Sequence, residues 1–244
     1  MIIIPARLKS SRFENKILTK IDGLEMVIRT AKRVEGLDDI CIATDSEEVL
    51  NLAIEYGFNA VMTDINHTSG TDRINEAAGI LGLADDEIVI NVQADEPYIE
   101  RDIVEKIINE TKRISHDNNT LMVSCYKKIN SEAADDPNHV KVVVGQGNEA
   151  LYFSRSKIPH HRDHHDNSEY FGHLGIYGFT TNSLRTFCSY EESTLEQLEK
   201  LEQLRALSNG KKVKMIEVQS KSFGIDTEED LRKLESLIDS GDIK

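Results

Sequence analysis

Short apolar runs alternate with amphipathic segments through the first half of the chain, and no other feature restricts the fold as much. Residues 2–4, 40–43, 60–62, 88–92 and 121–125 are strand-length and almost wholly apolar. Between them, residues 26–34, 47–56, 72–81 and 102–114 carry apolar side chains at helical spacing. Continuous apolar strands are buried on both faces. Their alternation with helices predicts an α/β fold with a mostly parallel sheet covered by helices on both sides. In such sheets the ligand crevice opens at the carboxyl ends of the strands, so chemistry is expected just after each strand.

The second half changes rhythm. Residues 140–144 are rich in β-branched side chains, residues 145–148 (Gly-Gln-Gly-Asn) are a turn signal, and residues 150–153 return as the second arm of an antiparallel hairpin. Residues 172–179 and 212–218 read as strands. Leucines at every third position predict one helix over 195–207. A last helix over 227–238 opens at Thr227 with Asp230 three residues on, close to a capping box. There is no repeat, low-complexity tract or linker, and with only four prolines residues 1–244 are read as a single domain.

Charge narrows the function. A net charge of −14 argues against general nucleic-acid binding, which needs a basic face to neutralise phosphates. Anionic small ligands remain compatible, because local cations outweigh a distant acidic surface inside a cleft. The cysteines Cys41, Cys125 and Cys188 form no C-x-x-C pair and read as reduced thiols. The opening apolar run is broken at Pro5, unlike a secretory signal, and no apolar run approaches the roughly 20 residues of a membrane span. A cytoplasmic location is expected. His160, His161, His164 and His165 match no standard zinc spacing and read as a solvated polar loop.

The segment directly after the first strand carries the strongest chemical signal. Arg7, Lys9, Arg12 and Lys16 supply four cations and Ser10 and Ser11 two hydroxyls within the loop that begins at Pro5-Ala6. A triphosphate needs fixed positive charge, hydroxyls and backbone amides in one concave loop. Alone, the loop reads more readily as a solvated basic surface.

Other segments decide between these readings. Residues 91–97 (N-V-Q-A-D-E-P) resemble the N-V-Q-G-D-E-P segment of the CMP-Kdo synthetase family, the 3-deoxy-D-manno-octulosonate cytidylyltransferases. Residues 69–73 (S-G-T-D-R), 150–155 (A-L-Y-F-S-R), 173–178 (H-L-G-I-Y-G), 201–205 (L-E-Q-L-R) and 224–231 (G-I-D-T-E-E-D-L) resemble it too, in the family's order and across essentially the whole chain. The resemblance implies a Rossmann-like nucleotidyltransferase fold whose antiparallel hairpin, near residues 141–155, serves a homodimer. It further implies transfer of CMP from CTP to the eight-carbon sugar acid Kdo, releasing pyrophosphate, as a step of lipopolysaccharide biosynthesis. The partners are then small-molecule substrates.

The same resemblance assigns residues. Pro5, Ala6, Arg7, Ser10, Ser11, Arg12, Lys16, Ser69 and Gly70 would bind the nucleotide, with Arg7 and Lys16 on the triphosphate. Asp95 and Asp226, each at a strand end, would hold Mg²⁺, whose preference is for oxygen ligands and open positions. Arg73 would meet the sugar acid from the loop before a helix, and Gln93, His173, Tyr177 and Glu202 would read its hydroxyls. His173 and Tyr177 lie four apart on one strand face. The anomeric hydroxyl would attack the α-phosphate in line, with no covalent intermediate. A sialic acid or 8-amino-Kdo as substrate, or a catalytically silent nucleotide-binding protein, are the rival readings. Two segments depart from the family pattern: Glu14-Asn15 precedes Lys16 where Pro-Gly is usual, and Ala94 replaces a Gly beside Asp95.

Overall fold

A computed structural model describes residues 1–9, 13–162 and 169–241. Ser10, Ser11 and Arg12 of the expected nucleotide loop, and His164 and His165, lie outside the described residues. The chain forms two compact units, Met1–Glu105 with Ser220–Lys244, and Lys106–Gln219.

In the first unit β1 (Ile2–Ala6) leads through a 3₁₀ turn (Lys16–Leu18) and the small hairpin β2 (Lys20–Ile21)/β3 (Leu24–Glu25) into α1 (Met26–Val34). Then follow β4 (Ile40–Thr44), α2 (Glu47–Glu55), β5 (Asn59–Met62), α3 (Gly70–Ile80), β6 (Ile88–Asn91) and the start of α4 (Arg101–Ile114). The strands run in the order β6-β1-β4-β5, all parallel, with Ile3 opposite both Cys41 and Asn91. Every residue of β1 and β4 is buried. Since alternate side chains point to opposite faces, both faces of the sheet are covered, as the unbroken apolar runs predict. The predicted helices over 26–34, 47–56, 72–81 and 102–114 are all present, with ends moved by no more than two residues.

The second unit contains β7 (Thr120–Ile129), α5 (Ser131–Asp135), β8 (Lys141–Val144), β9 (Ala150–Ser154), β10 (Tyr170–Thr180), α6 (Thr181–Ser189), α7 (Thr194–Glu199), α8 (Leu204–Ser208) and β11 (Lys212–Glu217). Here β7 runs parallel to β11 but antiparallel to β10, so the run expected over 121–125 belongs to mixed pairing. The hairpin forms as expected: Val142 faces Phe153, and Asn148 takes the left-handed backbone (φ 53°) that closes the turn. β10 crosses α4 closely at Gly178, where a Cβ would collide with the Thr111 hydroxyl, so only glycine fits.

One expected element is corrected. The helix over 195–207 is two short helices, α7 and α8, because Lys200 adopts a left-handed conformation (φ 54°) and ends the first. Leu198 is 75% exposed, so the leucine stripe is not one continuous buried face. The chain closes with α9 (Glu228–Asp239) of the first unit, where Thr227 and Asp230 form the capping box reciprocally.

Candidate functional site

Residues just beyond β1, β4 and β6 build the site of the first unit. After β1 the chain passes Arg7, and the Leu8 amide donates to Asp45 Oδ1 at 3.1 Å. Farther on, Asn15 takes a left-handed conformation (φ 51°) and starts the turn that opens with Lys16. Asparagine supplies here the backbone freedom expected of glycine. Glu14 is exposed. Ala94, by contrast, is absent from the positive-φ positions, and its carbonyl accepts the Thr30 hydroxyl at 2.9 Å. A side chain is therefore accommodated beside Asp95 without backbone strain.

Lys16 is buried, 8% exposed, and its Nζ lies 2.6 Å from Asp95 Oδ2 and 3.0 Å from Asp226 Oδ1. Burial by itself would lower its pKa, but the Asp95 carboxylate, and after it Asp226, outweigh that loss and hold the pKa above its ordinary value. The ammonium is thus firmly charged, and it draws together two carboxylates from distant parts of the chain. Asp95 follows β6. Asp226 precedes α9, and the neighbouring Ile225 amide donates to the Asp95 carbonyl at 2.9 Å.

A cavity of about 270 Å³ opens over these groups. Pro5, Arg7, Lys16, Ser69, Gly70, Arg73, Gln93, Asp95 and Asp226 line it, so the structure brings nine of the sequence-predicted residues together. Ala6 is buried within β1. Ser69 caps α3, its hydroxyl accepting the Asp72 amide at 3.1 Å. At Gly70 a Cβ would stand 3.2 Å from the Pro5 ring and 3.6 Å from Gln93 Oε1, so the missing side chain lets the first turn of α3 close on the end of β1.

Arg73 lies within α3 rather than in the loop before it, and its guanidinium is engaged by protein. It donates to Thr63 Oγ1 at 2.5 Å and pairs with Asp45 at 2.9 Å, the two charged side chains being 3% and 8% exposed. Asp45 therefore links Arg73 to the loop after β1. Asp45, Thr63, and the His67–Glu76 pair (2.5 Å) were not singled out in the sequence. Asp45 directly follows β4, the position where chemistry is expected in such sheets, and that position is the signal by which the sequence could have shown it.

The remaining candidates belong to the second unit. On β10 the His173 ring packs edge-on to Phe153 and 5.6 Å from the Tyr177 ring, confirming the shared face of residues four apart. Its Nε2 is 2.9 Å from the Ser124 hydroxyl and its Nδ1 3.5 Å from the Gln203 amide. Desolvation pushes the imidazole pKa down to about 3, so the ring is neutral at ordinary pH. Tyr177 donates to Gln203 Oε1 at 3.3 Å. Glu202 sits half-buried in the turn between α7 and α8, not on a helix. Ser124 and Gln203 thus complete a neutral polar group that motif reading only half identified.

Comparison with known proteins gives one consistent answer. A family model described as "Cytidylyltransferase" matches residues 1–213. A 3-deoxy-manno-octulosonate cytidylyltransferase of Nitratiruptor sp. is 53% identical over 234 residues, 96% of this chain and 98% of that protein. The corresponding protein of Wolinella succinogenes is 48% identical over 236 residues, 96% and 97% of the two chains. Among solved structures, a CMP:2-keto-3-deoxy-manno-octonic acid synthetase complexed with CTP superposes with a TM-score of 0.89 at 36% identity, covering 98% of both chains. A cytidylyltransferase from Leptospira borgpetersenii, at 16% identity and a TM-score of 0.62, shares the fold alone.

Proposed function

The chain belongs to the 3-deoxy-manno-octulosonate cytidylyltransferase family, and from that premise we propose that it activates Kdo with CTP, giving CMP-Kdo and pyrophosphate. The observation that carries the reading onto these residues is the Lys16 ammonium held between Asp95 and Asp226 at the floor of the cavity.

Arg7 and Lys16 bind the triphosphate, with the loop through Ser10, Ser11 and Arg12, and with Ser69 and Gly70 at the start of α3. Lys16 turns from the carboxylates toward phosphate oxygens as the nucleotide enters, which keeps its charge paired in both states. Gln93, His173, Tyr177 and Glu202 read the sugar hydroxyls. A neutral His173 suits that task, since it offers one donor and one acceptor without adding charge. Arg73, already paired with Asp45, lines the cavity as the cation that faces the sugar acid in this reading.

Asp95 and Asp226 are the residues that would hold Mg²⁺. The donor set fits: one oxygen of each carboxylate already converges on a single cation, the Lys16 ammonium, at 2.6 and 3.0 Å. Two protein carboxylates with other positions left to substrate oxygens and water is the arrangement this ion favours. When bound it supplies Lewis-acid charge that lowers the pKa of the attacking hydroxyl. The protein itself fixes the α-phosphate and the anomeric hydroxyl in line, which is where most of the acceleration of such transfers arises.

The same reading takes residues 1–244 as one catalytic domain of a cytoplasmic homodimer, with the β8–β9 hairpin and its 63% exposed Leu151 at the interface. Among the described residues no helix is long and apolar enough to cross a membrane. Pyrophosphate release from CTP with Kdo, with and without EDTA, is the direct test. Release with Kdo that EDTA abolishes is expected, and absence of release with any sugar acid would overturn the assignment.

A further inference from the structure

We infer that Glu100 is a positioning residue for Asp226, holding residues 220–222 against the loop that carries Asp95. The inference rests on the two-carboxylate reading of the site. Asp226 ends a stretch, residues 218–226, that contains neither helix nor strand. Backbone without ladder hydrogen bonds is the least fixed part of a fold, yet a metal-binding carboxylate must be held within a fraction of an ångström.

One side chain, Glu100, holds residues 220–222 at three points, while the Asp226 amide itself donates to Asp230 Oδ2 at 3.1 Å. Glu100 Oε1 accepts the amides of Lys221 at 2.7 Å and Ser222 at 3.3 Å, and Oε2 accepts the Ser220 hydroxyl at 2.8 Å. Three donors on one carboxylate are charge-assisted bonds, stronger than their neutral counterparts. Ser222, 2% exposed, also donates its hydroxyl to Glu96 Oε2 at 3.4 Å. Ile225, fully buried with Ile21, Met26, Tyr98 and Leu234, completes the attachment through its amide to Asp95.

Asp95, Glu96 and Glu100 all lie between β6 and α4. The loop that provides one carboxylate therefore also grips the segment that provides the other, and their separation is set locally. A simpler role, an acid placed at the amino end of α4, does not describe Glu100. Its carbonyl accepts the amides of Ile103 and Val104, while its carboxylate turns onto residues 220–222.

The test is Mn²⁺ affinity of the full-length enzyme by electron paramagnetic resonance, together with hydrogen exchange over residues 220–227 and CTP affinity without divalent cation. Glu100→Ala should weaken Mn²⁺ on the order of tenfold or more, as loss of a ligand-orienting partner does. It should also speed exchange over 220–227 and leave cation-free CTP affinity within about twofold, since no phosphate group is touched. Glu100→Gln retains an oxygen for the two amides and should recover most of the affinity. If Glu100→Ala does not fold, the Ser220→Ala/Ser222→Ala double variant removes the hydroxyl donors from the other side and should weaken Mn²⁺ several-fold. Unchanged Mn²⁺ affinity in the variant tested, or a Gln variant as weak as the Ala variant, overturns the inference alone. Unchanged affinity in Asp226→Asn overturns the two-carboxylate reading, and the inference with it.

Discussion

The ammonium of Lys16 lies 2.6 Å from a carboxylate oxygen of Asp95. A residue expected on the triphosphate and one expected on the metal are thus direct partners. Unmatched, the Asp95 and Asp226 carboxylates would repel each other, and Lys16 stabilises their approach.

Removing either carboxylate charge should be severe. Asp95→Asn and Asp226→Asn are each expected to lower turnover at least ~10²-fold, because each deletes half of the charge that holds the cation. Pyrophosphate release at saturating substrate, titrated with Mg²⁺, measures this. Near-normal Mg²⁺-dependent turnover in either variant removes the two-carboxylate site.

Lys16→Ala should act in opposite directions on the two ligands. CTP loses a charge-assisted bond worth roughly 1.5–3 kcal/mol, a weakening of about ten- to a hundredfold. The carboxylates lose their resident counter-ion, so Mn²⁺ should bind the nucleotide-free variant more tightly than the native enzyme. Calorimetry with CTP and a Mn²⁺ titration separate the effects. Unchanged CTP affinity would take Lys16 off the phosphates.

Particular residues show how far the sequence carried. The parallel strands were legible because a strand buried on both faces has no polar alternation to disguise it. The left-handed turn at Asn15 suits its residue type, because asparagine tolerates that backbone. The break at Lys200 was not legible, since lysine carries no such tendency and the leucines on either side keep helical spacing. α6 was missed because Thr181–Ser189 is largely polar and buries little beyond Thr181, Leu184 and Phe187. At the site, motif positions located the cavity wall, but not what Arg73 touches. Its partners Asp45 and Thr63 come from other segments, and only the fold brings them to α3.

That pairing predicts a stability effect. Asp45→Ala leaves a nearly buried guanidinium without its carboxylate and should cost about 3–5 kcal/mol, as breaking a buried ion pair from one side does. The Asp45→Ala/Arg73→Met double variant should recover part of the loss. Urea denaturation of the single and double variants measures the coupling. Additive losses would show that the pair is not a unit.

His173 predicts a pH dependence. Its folded pKa, about 3, lies below the ordinary 6.5. Between those values the unfolded chain binds the extra proton and the folded chain does not. The stability tied to the neutral ring is therefore complete above about pH 6.5 and is lost as pH falls toward 3, with a slope approaching 1.4 kcal/mol per pH unit. His173→Gln should flatten the stability profile between pH 4 and 6.5. Denaturation midpoints across that range measure it, and an equally steep profile in the variant would assign the acid sensitivity to other groups.

Substrate choice follows from the neutral character of the same group. His173, Tyr177, Ser124 and Gln203 are linked by hydrogen bonds of 2.9 to 3.5 Å and offer only uncharged donors and acceptors. Such a group reads hydroxyls at particular positions. A substrate lacking a hydroxyl it must bond leaves a desolvated partner unmatched, and discrimination of that kind reaches 10⁴-fold or more. Kdo should therefore exceed sialic acid by orders of magnitude in kcat/KM. An amine in place of a sugar hydroxyl brings a positive charge and needs an acceptor, and Glu202, in the turn beside Gln203, is the carboxylate nearest in sequence to supply one. Competition of Kdo, its 8-amino analogue and sialic acid for limiting enzyme measures the order. Glu202→Gln should lower use of the amino sugar more than use of Kdo. A preference for sialic acid would overturn the substrate assignment, whereas a preference for the amino sugar would keep the fold and the carboxylate pair and change only the acceptor.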